Sequence, residues 1–494
     1  MALRTVKKAA RGILLKALQW LEKDADTSAV TRGGAQNILK REIHLPGVVV
    51  AGIAIFAFFV VLVFEIGLSW LKIAGLAMFL AMMFAFLLVY LKQEQKEIIS
   101  DSDAIMLLGV LFVSAVLVMQ VSKLWFSPIA TPLAAFTILT GLLLSRKLAF
   151  ITAIVLCLII GVLNDFSLEY FFVHLAGSVM GIAALQGIRN RSDITRLGLK
   201  VSFVNAAAVL IIYFLRLWPI TTMGLSLIWA CVSGILSALI VLGALPFLET
   251  FFSKTTNIKL LELADFNQPL LKRLMLESPG TYHHSLIMAS LAEQAAEAIG
   301  ANSLLARVGA YYHDIGKLTN PDYFIENQQP NSNPHDPLAP AMSSLVVISH
   351  VKEGVALAQK YGVDRVIADC IEQHHGTSLI HYFYHRALEQ QKELATEESF
   401  RYPGPKPQNK VTAILMIADA VEAASRSVDD PTPGRLKDTV EKVINNKFID
   451  GQFAECSITL HDLSNIAESM AATLGGIYHA RINYQEPAGA KIEG

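Results

Sequence analysis

Cysteine is scarce, with four in 494 residues. Cys157 and Cys231 fall in apolar runs, Cys370 and Cys456 lie far apart in a charged region, and none has CxxC spacing. A disulfide framework and a zinc ribbon are both excluded, and a reducing cytoplasm suits the C-terminal half. Charge of one sign is lacking too: 41 Lys and Arg stand against 42 Asp and Glu. No basic excess marks a nucleic-acid polymer as partner, and nothing resembles a nucleic-acid module. The long apolar runs hold almost no charge, where a transporter would need several buried charges or broken helices. A signal peptide is not expected either, because the first long apolar run begins only near Gly47 and lacks a clear small-residue cleavage site.

What is abundant is apolar sequence: 53% of the residues are hydrophobic and the mean hydropathy is +0.46. Nearly all of the excess precedes Phe252. Runs near 46–67, 70–91, 104–121, 125–145, 147–164, 167–187, 199–217 and 223–248 are each about as long as the roughly 20 helical residues that cross a bilayer. Eight spans put both ends on one side. Lys92, Lys96, Arg146, Lys147, Arg189, Arg191, Arg196, Lys200 and Lys254 share that side with the basic front end, against Lys72, Lys123 and Arg216 opposite, so both termini are expected to be cytoplasmic. Residues 1–45 interleave Arg4, Lys7, Lys8, Arg11 and Lys16 with apolar positions. That pattern fits an amphipathic helix on anionic lipid and a solvated arm equally well. Within the spans, His174 reads as an interfacial anchor ahead of a proton path, and Gly177 and Gly181 read as close helix packing.

After Phe252 the charge is mixed and the periodicity helical. Eleven of the thirteen histidines fall after Lys254. In order come His284, His313-Asp314 followed by Gly316-Lys317, His350, His374-His375 and Asp419. Imidazole nitrogens and carboxylate oxygens suit Mn, Fe, Zn or Ni, and a carboxylate can bridge two ions. His283, His335, His381, His385, His461 and His479 read as capped or surface residues. His284 is expected in the first turn of a helix from about 282 to 299. His313 and Asp314 end a helix begun near Ser303, and Gly316 lets the backbone turn away there. His350 falls in the opening turns of 345–361, and His374-His375 at the end of 363–375. Asp419 stands in the apolar run 411–424, where a carboxylate is costly unless paired. Residues 399–407, rich in proline, read as a flap over the site or as a plain surface loop.

These residues, with Pro279-Gly280-Thr281-Tyr282-His283-His284-Ser285, Phe324-Ile325-Glu326-Asn327-Gln328, Asn333-Pro334-His335-Asp336 and Glu372-Gln373-His374-His375-Gly376-Thr377-Ser378, resemble the HD-domain hydrolases. More narrowly, the chain is similar to the bacterial seven-transmembrane HD phosphodiesterases that cleave cyclic di-AMP. In the full-length relatives a large extracellular sensor follows the first span, whereas here a short turn near 67–71 is expected in its place.

The expected fold is all-α: a polytopic helical membrane domain of about eight spans, then a cytoplasmic all-helical HD phosphohydrolase domain. The expected boundaries are 1–45 for the basic segment, 46–252 for the membrane domain, 253–278 for a linker and connecting helix, 279–485 for the HD domain and 486–494 for a frayed end. Metal ligands would be His284, His313, Asp314, His350, His374, His375 and Asp419. Two divalent ions bridged by Asp314 would lower the pKa of a shared water, and the hydroxide would attack phosphorus in line with the departing ribose oxygen. Lys317 would neutralise a phosphate oxygen or assist the leaving group, and Lys317 and His375 would contact substrate. The resemblance implies iron or manganese, cyclic di-AMP as substrate, pApA as product and the bacterial cell membrane as location, with a homodimer as a candidate assembly. Two alternatives stand beside it: an HD hydrolase of another cyclic dinucleotide or nucleotide, and a membrane receptor that binds a nucleotide without cleaving it.

Overall fold

A computed structural model of the chain describes residues 70–479, apart from 189, 216–218, 329–332 and 392–395. The expected amphipathic segment 1–45, the first expected span, the turn after it and the C-terminal end lie outside the described residues. Eighteen α-helices are described, and a single β-bridge pairs Leu379 with Arg401.

The apolar half contains α1 (Trp70–Glu94), α2 (Lys96–Ser100), α3 (Ser102–Trp125), α4 (Leu133–Leu143), α5 (Arg146–Leu163), α6 (Leu168–Ala183), α7 (Arg191–Phe214) and α8 (Met223–Phe251). Six described helices are long and apolar enough to cross a membrane, and five of them, α1, α3, α5, α7 and α8, belong here. Shorter apolar stretches at Pro128–Leu143 and Leu168–Ala183 complete seven candidate spans among the described residues. The sixth long helix, Pro340–Lys360, passes on composition alone. Its His350 is buried in the polar site of the second half, so it is a core helix of that half.

Helix ends follow local chemistry. The Asp101 carboxylate accepts from the backbone N–H groups of Asp103 and Ala104 at the start of α3, and Ser145 does the same for Leu148 at the start of α5. Between α7 and α8 the packing is closest at glycine. A Cβ on Gly234 would stand 2.4 Å from the Ser202 nitrogen and 2.6 Å from the Gly198 oxygen, so no larger residue fits that crossing. Gly177 and Gly181 are likewise packed against Asn205 and Ile138, the close contact expected of them. His174 differs from the expectation. It is buried, and its Nε2 lies 2.9 Å from the Pro128 oxygen, so it tethers a 3-10 turn inside the bundle instead of anchoring the interface.

The second half follows with α9 (Asn257–Leu263), α10 (Pro269–Glu277), α11 (Pro279–Ala298), α12 (Ser303–Tyr312), α13 (Pro340–Lys360), α14 (Arg365–Gln373), α15 (His381–Gln391), α16 (Lys410–Ser425), α17 (Pro433–Ile449) and α18 (Leu460–His479). One apolar core joins α11, α16, α17 and α18, and another joins α9, α10, α12 and α14. Between Val411 and Ala418 every residue of α16 is buried, as befits a central helix that is apolar all round. A capping box between Asn409 and Thr412 starts it. The linker expected as one helix is two, α9 and α10, separated by a turn at 264–268. Pro279 opens α11 at its first turn instead of breaking the chain before it.

The two halves meet through side chains as well as the backbone. Lys254 pairs with Asp101 and Thr256 donates to Glu249. Arg191 pairs with Glu262 at 2.8 Å, and Thr255 donates to the Asp364 carboxylate at 2.8 Å, at the start of α14. The Tyr312 hydroxyl donates to the Leu263 carbonyl at 2.9 Å, fastening α12 to α9.

Overpacking the crossing of α7 and α8 is expected to cost about 1–3 kcal/mol. Gly234→Ala should therefore lower the thermal midpoint of the detergent-solubilised protein by several degrees. An unchanged melt would mean that α7 and α8 separate freely.

Candidate metal centre

Five helix termini and faces deliver the seven expected residues to one place. His284 comes from the second turn of α11. His313 caps the C-terminus of α12 with helical φ −53° and ψ −34°, and the chain leaves the helical path at Asp314, φ −109° and ψ 14°. That departure lets two adjacent side chains converge, with His313 Nε2 3.1 Å from Asp314 Oδ2. His374 caps α14 and His375 follows it. Asp419 projects from α16, where it is spared the apolar burial of its neighbours by facing the imidazoles.

Two readings of local geometry need correction. Helix α13 begins at Pro340, five residues before the expected start, so His350 lies mid-helix and not in its opening turns. Gly316 has no positive φ. A Cβ there would lie 1.8 Å from the His350 oxygen, so the glycine is required by the close crossing of α13 over the turn after Asp314. Gly280 meets the same demand, with a Cβ placed 1.9 Å from the Glu326 oxygen.

The hydrogen bonds around the histidines fix which nitrogen carries the proton. The Nδ1 atoms of His313, His350 and His374 lie 2.7, 2.6 and 2.8 Å from the carbonyl oxygens of Ala310, Val347 and Ile371. A carbonyl only accepts, so each Nδ1 is protonated, and in the neutral ring each Nε2 presents a lone pair. His350 Nε2 and His374 Nε2 then face each other at 3.3 Å with no proton between them. The His313 Nε2 atom is buried without a hydrogen-bond partner. Such an arrangement is unfavourable unless a cation accepts the lone pairs. The donor set therefore fits divalent metal ions.

Asp314 lies between two groups of donors. Its Oδ2 is 2.7 Å from Lys317 Nζ, 3.1 Å from His313 and 3.8 Å from His284. Its Oδ1 is 3.3 Å from His350 and 3.7 Å from His374. Asp419 Oδ1 is 3.2 Å from His284 Nε2, and its Oδ2 is 3.6 Å from His375 Nδ1. Donor atoms within 4.8 Å of one another occur in the trios His284, His313, Asp419 and His350, His374, His375, and in a third, His313, Asp314, His374, between them.

Charge is shared accordingly. Burial would raise the Asp314 carboxyl, but His313 and Lys317 hold it well below the usual carboxylate range. Burial would likewise raise Asp419, which His284 and His375 hold down. Burial pushes His374 down to about 3, with His313 adding to the effect, and depresses His350 and His375 too. His284 is the exception: burial would lower it, yet Asp419 and Glu422 raise it to about 10.

Several participants carried no mark in the sequence. Glu422 is buried, its Oε2 2.6 Å from His284 Nδ1, and Arg426 holds its other oxygen at 2.6 Å. It stands three residues after Asp419 on one helix face, the spacing that could have revealed it. Lys317 Nζ is shared at 2.7 Å between Asp314 and Glu326, so its charge is already engaged. The loop 399–407 reaches the site through Tyr402, whose ring stacks on His375 at 4.2 Å, while Arg401 is engaged by Glu397 and Asp450. Of the other histidines, His283, His381, His385 and His461 are exposed, and His335 is buried with Nε2 2.9 Å from the Tyr323 oxygen. The His479 side chain lies outside the description.

The sequence matches two family models, "7TM receptor with intracellular HD hydrolase" over residues 70–256 and "HD domain" over 281–424. It is 39% identical to the cyclic-di-AMP phosphodiesterase PgpH of Bacillus subtilis over 84% of this chain and 60% of that one. The chain belongs to the seven-transmembrane HD family. Within that family the Listeria monocytogenes PgpH is 36% identical over 84% of this chain and 59% of its own length. The chain thus spans about 60% of the length of these relatives. The crystal structure of the L. monocytogenes PgpH HD domain in complex with cyclic-di-AMP is 48% identical, with a TM-score of 0.42, covering 44% of this chain and 100% of that one. Family and apolar helices together make this a multi-span membrane protein with an all-helical HD domain.

Glu422→Gln should weaken divalent-ion binding about 10–100-fold, the usual effect of removing a carboxylate behind a metal-binding histidine, as read by titration calorimetry with Mn. Below pH 9 the metal-free His284 is protonated, so ion uptake must expel a proton. Affinity should then rise about tenfold per pH unit, and calorimetry in buffers of differing ionisation enthalpy should detect about one proton released.

Proposed function

We propose that the chain is a membrane-anchored phosphodiesterase that hydrolyses cyclic di-AMP to pApA, at a centre of two divalent transition-metal ions, Mn or Fe. The observation that carries this reading is the set of imidazole nitrogens converging on both oxygens of Asp314. Two curated relatives named as cyclic-di-AMP phosphodiesterases support the substrate. On this reading the HD domain faces the cytoplasm, the membrane is the bacterial cell membrane and both termini are cytoplasmic.

His284, His313 and Asp419 would hold one ion, and His350, His374 and His375 the other, with Asp314 shared. Bound divalent ions supply Lewis-acid charge and an activated water. The remaining work falls to the chain. His313, His350 and His374 are held in one orientation by their carbonyl acceptors, and His284 by Glu422, so no reorganisation is needed when substrate arrives. Lys317, its ammonium shared between Asp314 and Glu326, keeps Asp314 ionised and acts on the substrate through that carboxylate. His375 and Asp419 are the partly exposed members of the set, with 19% and 18% of their side chains accessible, so the substrate enters on their side. Hydrolysis adds one water across one phosphodiester: the P–O3′ bond breaks, the released ribose oxygen takes a proton and the phosphate stays on the 5′ oxygen.

The test uses the full chain in detergent, loaded with Mn and offered cyclic di-AMP and cyclic di-GMP side by side. Release of pApA from the first, falling at least about 10³-fold in Asp314→Ala, is the expected result. Turnover of cyclic di-GMP alone would reassign the base. No turnover despite bound metal would favour a receptor that binds without cleaving.

A further inference from the structure

A cyclic dinucleotide carries two phosphodiesters, and only one can occupy the metal centre during a turnover. The other keeps its negative charge beside Asp419 and Asp314 and needs a cation of its own. Lys317 is already bound to two carboxylates. Arg401 is similarly engaged by Glu397 and Asp450, and Lys410 by Asp462.

Lys447, on α17, is different. Its Nζ donates to the Ser378 hydroxyl at 2.7 Å, and among the described ion pairs it has no carboxylate within 4.0 Å. Asp450, three residues on, is spent on Arg401 at 2.9 Å and on Gln452 at 2.7 Å. The ammonium is part-buried, and burial lowers its pKa while Asp419 and Asp450 pull the other way. An ammonium whose hydrogen bond is to a neutral hydroxyl, with Asp419 and Asp450 acting on it beyond ion-pair distance, is incompletely compensated and can take an anion.

The neighbourhood is continuous with the site. The Ser378 N–H donates to the His375 oxygen at 3.0 Å, and the Tyr402 N–H donates to the Ser378 oxygen at 3.1 Å. Tyr402 in turn stacks on His375. The hydroxyl that holds Lys447 thus belongs to the same turn that presents His375.

We propose that Lys447 anchors the non-reacting phosphodiester of the cyclic dinucleotide, which makes it a residue that selects substrates with two phosphates. This rests on the phosphodiesterase reading above and adds the second contact that reading lacks.

The test compares two substrates in the full chain: cyclic di-AMP, with two phosphodiesters, and bis(p-nitrophenyl) phosphate, with one. Lys447→Met should raise KM for cyclic di-AMP about 10–100-fold, the worth of one hydrogen bond to a charged group, with kcat, Mn content and turnover of the single phosphodiester unchanged. Lys447→Arg, which keeps the charge, should restore KM to within about threefold on the same scale. Equal loss on both substrates, or loss of Mn, would make Lys447 a support of the metal centre and overturn the assignment. So would an unchanged KM in a wild type that cleaves cyclic di-AMP. A wild type active on the single phosphodiester but inert toward every cyclic dinucleotide overturns the reading of the site, and this assignment with it.

Discussion

Imidazoles that have committed their Nδ1 protons to backbone carbonyls have only a lone pair left for the centre of the domain, and several such lone pairs in one buried space repel. His350 and His374 show the conflict most directly, nitrogen against nitrogen at 3.3 Å. Relief requires positive charge at that point. The surrounding fold serves this requirement: α12 and α14 end where their capping histidines must point inward, Gly316 is bare so that α13 can bring His350 close, and α16 carries Asp419 through an otherwise apolar core. The protein side supplies only part of the compensation, through Lys317 on one oxygen of Asp314. A bound cation supplies the rest, so metal binding and folding of this half are thermodynamically linked.

The same two ligand-bearing helices are those that the membrane half touches through its linker. Thr255 bonds the residue that starts α14, and α9 receives the Tyr312 hydroxyl next to His313. Since Tyr312 adjoins His313 and the far end of α14 holds His374, both contacts lie on helices that carry metal-site histidines. No long-range pathway has to be invoked for such coupling, because each step is one hydrogen bond or one packed helix.

Much of the site was legible in the sequence because its residues are expensive elsewhere. Seven histidines and aspartates placed within or beside apolar runs have few other uses, and the seven do lie together. The helix boundaries were less legible. The start of α13 was missed because Met342-Ser343-Ser344 shows weak periodicity, while Pro340 at the first helical position decides the matter. Glu422 looked like an ordinary solvated acid near a helix end, and only tertiary packing buries it against His284. Lys447 sits in a stretch of α17 whose composition reads as surface, and its isolation from carboxylates exists only once α17 lies beside Ser378. The glycines were visible, but the reason for Gly316 was not, since close approach is a property of two chain segments and not of one.

The donors are spread along the chain from α11 to α16, and α17 and α18 close the core behind them. Because translation proceeds in chain order, the apolar helices leave the ribosome first and Asp419 comes last among the seven. No partial length of chain that stops before α16 can present both halves of the centre. The trio of His350, His374 and His375 precedes α16, but the trio that contains His284 and His313 is complete only when Asp419 has been made, so the paired centre closes late in synthesis.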